Sequence, residues 1–383
     1  MIRRKIHRSL CIDLEGNNAA FLWGPRKVGK TTLLHDQFPD ALHLDLLQSD
    51  LRTDLMLRPH HLRERVRAEQ PRLVILDEVQ KVPALLDEVH WCLENTATKF
   101  VLCRSSARKL RRGAANLLGG RAWRFELHPL TTDELVEHDL LRIVNHGLLP
   151  KHYLEARPER SLKGYLADYV QEEIQAEALV RNVPAFARFL EAMGTSHGEL
   201  LNYANVARDC GVSAKTVKEY YQILEDTLLG FRLPAWRNRR KRRLIETSKF
   251  YLFDVGLARA ICGMRVIQDG SFELGRAFEH FVVHEIRAYL AYRDRNQPMA
   301  FWRTSAGLEV DVIVGDMELA LECKASHKVD ERDCKGLNAL IAEHSVGRVL
   351  IVCQERHRRT LDNGVEVWPW ADFCQALWAG QFL

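Results

Sequence analysis

The chain has 383 residues, 46% of them hydrophobic and 28% charged, enough for two or three domains with sizeable cores. A formal net charge of +4 is too small to mark a nucleic-acid binder by itself, so such a reading must come from local basic clusters. Nine cysteines, an odd number with no C-x-x-C pair, speak against a disulfide framework or a structural zinc site and for reduced thiols in a cytoplasmic setting.

Arg3, Arg4, Lys5 and Arg8 are followed by no apolar stretch long enough for a signal peptide. No run of about 18 apolar residues occurs elsewhere, so no membrane anchor is expected. Ala19 to Trp23 is an apolar run suited to a buried strand, and Gly24 to Thr31 reads G-P-R-K-V-G-K-T, a complete P-loop pattern. The stretch Gly24, Pro25, Arg26, Lys27, Val28, Gly29, Lys30, Thr31 and Thr32 is expected to cradle ATP. Its glycines let backbone amides turn toward the phosphates, Lys30 reaches the β and γ oxygens, and Thr31 ligates Mg²⁺ where a helix begins. That helix, Thr31 to Phe38, ends before Pro39.

Arg72 to Glu78 reads R-L-V-I-L-D-E, an apolar strand delivering two acids to the carboxyl edge of a parallel sheet. This is a Walker B pattern, in which Asp77 holds the Mg²⁺ shell and Glu78 orients the attacking water. Further strands are expected at Ala41 to Leu46, Phe100 to Cys103 and Trp123 to Leu127. Between them Leu85, Leu86, Val89 and Leu93 have the spacing of an amphipathic helix. The strand beside Walker B runs into Ser105 and Ser106; Ser105 is the candidate γ-phosphate sensor, or else these serines cap the next helix. Arg104 to Arg124 is rich in cations, and Arg121 is a candidate transition-state arginine, in its own or a neighbouring subunit, against a plain solvated surface.

From 140 to 250 the pattern is helical, with Tyr165, Leu166, Tyr169, Val170 and Ile174 at helix spacing. Within Leu200 to Leu229 a helix ends at Cys210, Gly211 makes a turn and Ser213 caps a second helix, a helix-turn-helix pattern. Val206, Val212, Val217, Tyr221 and Leu224 would form its core and leave Lys215, Thr216 and Lys218 outside. A wing strand at Gly230 to Trp236 leads into Arg237 to Arg243, where six of seven residues are cationic. That is a winged helix suited to DNA phosphates, or to protein docking or a structural purpose instead.

Leu308 to Val314 and Glu318 to Lys324 alternate as a hairpin around Gly315 and Asp316. With a two-residue loop Asp311 lies opposite Ala320, and Asp311, Glu322 and Lys324 share one face. An Asp followed by E-x-K is the PD-(D/E)XK nuclease arrangement, with the acids as Mg²⁺ ligands and the lysine placing water or stabilising the phosphorane. Glu279 is the upstream acid and Glu285 the alternative; a helix from Glu331 to His344 and a strand Val349 to Cys353 complete the order. A solvated hairpin or an inactive scaffold would read the same way.

With G-P-R-K-V-G-K-T, L-V-I-L-D-E-V-Q, S-S-A-R-K-L-R-R-G, the winged-helix stretch, E-V-D-V-I-V and L-E-C-K-A-S in order, the chain resembles prokaryotic AAA-type P-loop ATPases. These carry a C-terminal domain of unknown function related to PD-(D/E)XK nucleases. The resemblance covers nearly the whole chain and implies an α/β protein in three parts. These are a P-loop domain at 1–135, a helical linker with a winged helix at 136–250, and a restriction-endonuclease-like α/β domain at 251–383. It implies nucleotide binding at Gly24, Gly29, Lys30 and Thr31, Mg²⁺ and water activation at Asp77 and Glu78, and a nuclease-like site at Glu279, Asp311, Glu322 and Lys324. Where relatives usually show T-G-S-S, this chain has Cys103, Arg104, Ser105 and Ser106. The expected activity is slow ATP hydrolysis coupled to action on DNA, with a homo-oligomer left open. The alternative is a nucleotide-dependent switch, regulatory or defensive, whose C-terminal fold docks without chemistry.

Overall fold

The structure, a computed structural model, describes residues 2–16, 19–105, 122–169, 180, 182–237, 248–263 and 265–383. The chain divides into one unit of residues 1–130 with 226–229 and a second of residues 131–225 with 230–383. The segments expected at 136–250 and 251–383 both fall within the second, apart from 226–229.

In the first unit five short strands form a wholly parallel sheet: β1 (Ala19–Trp23), β2 (Leu42–Asp45), β3 (Leu73–Asp77), β4 (Lys99–Arg104) and β5 (Ala122–Glu126). Their order, β2-β3-β4-β1-β5, places β4 between the P-loop strand and the Walker B strand. β1, β3 and β4 are buried along almost their whole length, as continuous apolar runs require when helices cover both faces of a sheet. Leu85, Leu86, Val89 and Leu93 of the helix Leu85–Asn95 are all buried in this core, on the face their spacing marked. Every strand therefore ends at the same edge, where Trp23, Asp77 and Arg104 lie.

The second unit opens with helices, among them Val183–Thr195, Tyr203–Cys210 and Ala214–Asp226. A short antiparallel pair follows, β6 (Gly230–Pro234) with β7 (Ser248–Leu252). Then the helix Phe272–Tyr292 leads into a six-stranded mixed sheet made of β8 (Met299–Arg303), β9 (Glu309–Val314), β10 (Leu319–Lys324), β11 (Arg348–Cys353), β12 (Arg359–Thr360) and β13 (Glu366–Pro369). β8, β9 and β10 form an antiparallel meander. β10 and β11 run parallel, joined by a crossover through the helix Lys335–Glu343, the length of connection parallel strands demand.

The hairpin register differs from the expected one. Leu319 faces Val314, Ala320 faces Ile313 and Leu321 faces Val312, so Asp311 does not pair with Ala320. The turn holds four residues, Gly315 to Glu318, rather than two. Gly315 and Met317 both adopt φ 67, and Glu318 N donates to Val314 O at 3.1 Å. The slip is two positions, and an even slip leaves each side chain on its original face. Asp311, Glu322 and Lys324 therefore still share a side. Among the described residues no helix is long and apolar enough to cross a membrane.

Candidate functional site

The loop after β1 passes through the left-handed region at Lys27 (φ 60) and Gly29 (φ 100), the kind of backbone turn from which anion-binding loops are built. At Gly24 a side chain would meet the Leu127 carbonyl at 2.8 Å and Val28 Cγ1 at 3.0 Å, so only glycine fits. Gly24 and Pro25 are buried, Arg26 is half-buried, and Lys27, Thr31 and Thr32 are exposed. Val28 is buried and anchors the loop, and the guanidinium of Arg4, itself buried, donates to Val28 O at 2.8 Å and to His128 O at 2.5 Å. Lys30 Nζ donates to the carbonyls of Gly24 and Pro25 at 2.7 and 3.0 Å, so the ammonium lies over the loop at the head of the helix Lys30–Gln37.

Walker B stands beside it. Thr31 Oγ1 donates to Asp77 Oδ2 at 2.5 Å, which joins the start of the P-loop helix to the end of β3. Burial pushes the Asp77 carboxyl above its ordinary range, with the Thr31 hydrogen bond and the Lys30 charge acting the other way. Glu78 follows in the left-handed conformation (φ 56) and is 9% exposed. Its Oε2 accepts from Ser105 Oγ at 2.9 Å and from Gln80 Nε2, while Gln80 Nε2 also lies 3.2 Å from Ser105 Oγ. Ser105 therefore reaches across from the end of β4 and fixes the Glu78 carboxylate.

The departure from T-G-S-S is absorbed by packing. Cys103 is fully buried, and burial pushes its thiol well up. Arg104, also fully buried, aligns with Trp23 across β4 and β1, and its guanidinium stacks over the Trp23 ring at 5.0 Å. The guanidinium of Arg124 lies 3.6 Å from the same ring centre. The proposed arginine Arg121 lies outside the described residues, as do Ser106, Val170, Ile174 and Arg243 with the rest of the basic run beyond Arg237.

In the second unit, Asp311 on β9 and Glu322 on β10 come to the same side of the sheet, with Glu279 from the helix Phe272–Tyr292. A residue that sequence reasoning missed stands among them. Lys249 of β7 has 5% of its side chain exposed, and its Nζ lies 2.6 Å from Glu309 Oε1, 2.8 Å from Glu279 Oε1 and 3.8 Å from Asp311 Oδ1. Tyr251, two residues along β7, donates to the same Glu279 oxygen at 2.5 Å. Cys323 N donates to Asp311 Oδ2 at 2.8 Å, and Lys324 Nζ donates to Glu322 Oε1 at 2.7 Å. Burial, then the charges of Glu279 and Glu322, raises the Asp311 carboxyl; burial also raises Glu322, against the pull of Lys324. Burial works against the charge of Lys249, but Glu279, Asp311 and Glu309 outweigh it and hold its pKa above the ordinary value.

These acids do not fit Mg²⁺ as they stand. Magnesium asks for oxygens at about 2.0–2.1 Å around one point. Among the described residues, the one group of three or more His, Cys, Asp or Glu whose ligand atoms lie within 4.8 Å of one another is His60, His61 and Glu64 in the first unit, so the acids of this cluster do not converge on one point. The alternative acid Glu285 is elsewhere: fully buried, it accepts from Thr132 N (2.9 Å), Thr132 Oγ1 (2.8 Å) and Trp378 Nε1 (2.7 Å), and burial raises it to about 7. It ties its helix to the 3-10 turn at Thr132 and to Trp378 at the end of the helix Trp370–Trp378, and takes no part in the cluster.

The helix-turn-helix segment has Gly211 at φ 68 between its helices, and Ser213 Oγ accepts from Thr216 N at 3.1 Å. Val206, Val217, Tyr221 and Leu224 are buried, whereas Val212 is only half-buried, at the edge of the turn. Lys215 is exposed, Thr216 is half-buried, and Lys218 is exposed and lies over the Tyr203 ring at 5.2 Å.

Residues 16–136 match a family described as AAA domain, and residues 137–267 and 274–373 match two families each described as a domain of unknown function (DUF8612 and DUF4143). Two uncharacterized proteins, Rv2008c of Mycobacterium tuberculosis and Mb2031c of Mycobacterium bovis, are each 25% identical over 96% of this chain and 82% of their own length. The Walker-type ATPase PABY2304 of Pyrococcus abyssi is 14% identical with a TM-score of 0.46, over 68% of this chain and 95% of its own. The match over residues 16–136 falls on the unit that carries the parallel sheet and the P-loop, and together they support a P-loop ATPase fold there.

Proposed function

We propose that the first unit binds ATP with Mg²⁺ and hydrolyses it slowly. The observation that carries this reading is the pair of contacts at one sheet edge, Thr31 to Asp77 and Ser105 to Glu78. A hydroxyl and carboxylate oxygens are the hard donors that suit Mg²⁺, which when bound supplies charge neutralisation at the phosphates. Lys30 and the loop amides hold the phosphate tail in place. Glu78, kept in one orientation by Ser105 and Gln80, aligns the water for in-line attack. Arg121 is proposed to stabilise transition-state charge, in its own subunit or a neighbour's. Calorimetry with MgATP on wild type and Lys30→Ala tests the binding: equal heats from the two, or none from wild type, would refute it.

Nucleotide state is proposed to govern how the second unit engages DNA through the helix-turn-helix segment. Exposed Lys215 and Lys218, the β6 and β7 pair and the run Arg237 to Arg243 support that partner. DNA affinity that fails to fall with rising salt would count against it. For the C-terminal sheet, the ammonium of Lys249 among the acids favours the switch reading, a docking fold without chemistry, over a nuclease. Nicking of plasmid DNA by wild-type protein in Mg²⁺ or Mn²⁺ would reverse that choice.

A further inference from the structure

The acid cluster of the second unit is arranged around an ammonium. Lys249 Nζ has three donors. Three carboxylate oxygens surround it, from Glu279, Glu309 and Asp311, two of them at the 2.6 and 2.8 Å of charge-assisted hydrogen bonds. β7 contributes twice, because Lys249 and Tyr251 are two residues apart on one face of the strand and both reach Glu279 Oε1. Lys324 meanwhile occupies Glu322 Oε1, and the other oxygen, Glu322 Oε2, is buried with no hydrogen-bond partner among the described residues.

We propose that Lys249 is a tethered cation standing where a divalent ion would need to sit among Glu279, Asp311 and Glu322, so that the cluster takes up no metal while β7 holds its place. This inference rests on the switch reading of the C-terminal sheet. A lysine is the economical occupant: it offers its charge from within the chain, at no cost in bound ion, and it cannot polarise a water as Mg²⁺ does. If Lys249 is withdrawn, Glu322 Oε2 is the oxygen already buried and unengaged, ready to accept a cation alongside Asp311.

Manganese binding to nucleotide-free full-length protein, read by electron paramagnetic resonance of free Mn²⁺, tests it. Wild type and Asp311→Asn should bind Mn²⁺ alike, since Lys249 keeps metal from the Asp311 carboxylate in wild type and the variant lacks that carboxylate. Lys249→Met should gain one site per chain, at least tenfold tighter than anything in wild type, and Lys249→Met with Asp311→Asn should lose it. Because Lys249→Met leaves acids uncompensated, Lys249→Met with Glu309→Gln, which removes one charge of each sign, provides the same measurement if the single variant does not fold. A wild-type Mn²⁺ site that Asp311→Asn abolishes overturns the proposal, and so does a folded Lys249 variant that gains none. Plasmid nicking by wild type would sink the switch reading as well, whereas Asp311-dependent Mn²⁺ binding without nicking sinks this inference alone.

Discussion

The contact between Ser105 and Glu78 makes a sharp prediction about turnover. Ser105→Ala removes one of the two side-chain hydrogen bonds that Glu78 Oε2 accepts and leaves the one from Gln80. A hydrogen bond to a charged group contributes about 1.5–3 kcal/mol, and with one of two retained the lower part of that range applies. If the loss falls wholly on the transition state, kcat drops roughly 10- to 30-fold. Glu78→Gln, which removes the charge that aligns and polarises water, should cost about 10²- to 10⁴-fold. Since Ser105 acts through Glu78, the double variant should match Glu78→Gln to within about twofold, the non-additivity expected of residues working as a unit. Phosphate release at saturating MgATP supplies the rates, and calorimetry checks that nucleotide affinity is unchanged. If the two losses multiply, or if Ser105→Ala weakens ATP affinity while kcat holds, Ser105 touches the nucleotide directly and the reasoning fails.

Arg4→Ala should loosen the P-loop from behind, because its guanidinium bonds to Val28 O and His128 O contribute about 1.5–3 kcal/mol each. ATP affinity should fall at least threefold and thermal stability with it; unchanged calorimetry and melting would exclude this support. Glu285 sets a pH dependence: its native pKa of about 7 lies above the unfolded value of 4.5, so the folded state binds more protons between them. Its stabilising contribution is therefore full below the unfolded value and is lost as pH rises through 7, by about 3 kcal/mol in all. Glu285→Gln should flatten that slope in urea titrations at pH 5 and pH 7.5, and an unaltered slope would show the carboxyl is not responsible. Gly336→Ala would bring a methyl within 1.9 Å of Glu309 O, a backbone atom that cannot swing aside. Destabilisation at or above the upper end of about 1–3 kcal/mol is expected, and a variant as stable as wild type in denaturant would contradict the packing.

The parallel sheet was legible because buried strands leave continuous apolar runs, as in Ala19 to Trp23 and Leu73 to Leu76, and the P-loop because its chemistry demands neighbouring residues. Arg4 was not legible, since its partners Val28 and His128 lie far along the chain and a basic N-terminus has many ordinary explanations. The hairpin register escaped because Met317, a residue with no turn preference, carries the second left-handed conformation. Glu285 and Glu279 share one helix, and only the packing of Thr132 and Trp378 shows that Glu285 belongs to the interior. Lys249 had one faint signal: in S-K-F-Y-L it alternates in phase with Tyr251, which puts two polar groups on one side of a strand. Beside the dense basic run at 237–243, a single lysine carries no distinguishing pattern of its own.

Trp23 carries a practical consequence. It is the last residue before Gly24, 7% exposed, with guanidinium groups 3.6 and 5.0 Å from its ring centre. Indole emission is sensitive to charge held that near, so the protein owns an optical probe wired to the first residue of its phosphate loop. Among eight tryptophans it can be isolated by comparison with Trp23→Phe, and its brightness would follow loop occupancy in real time without any added dye.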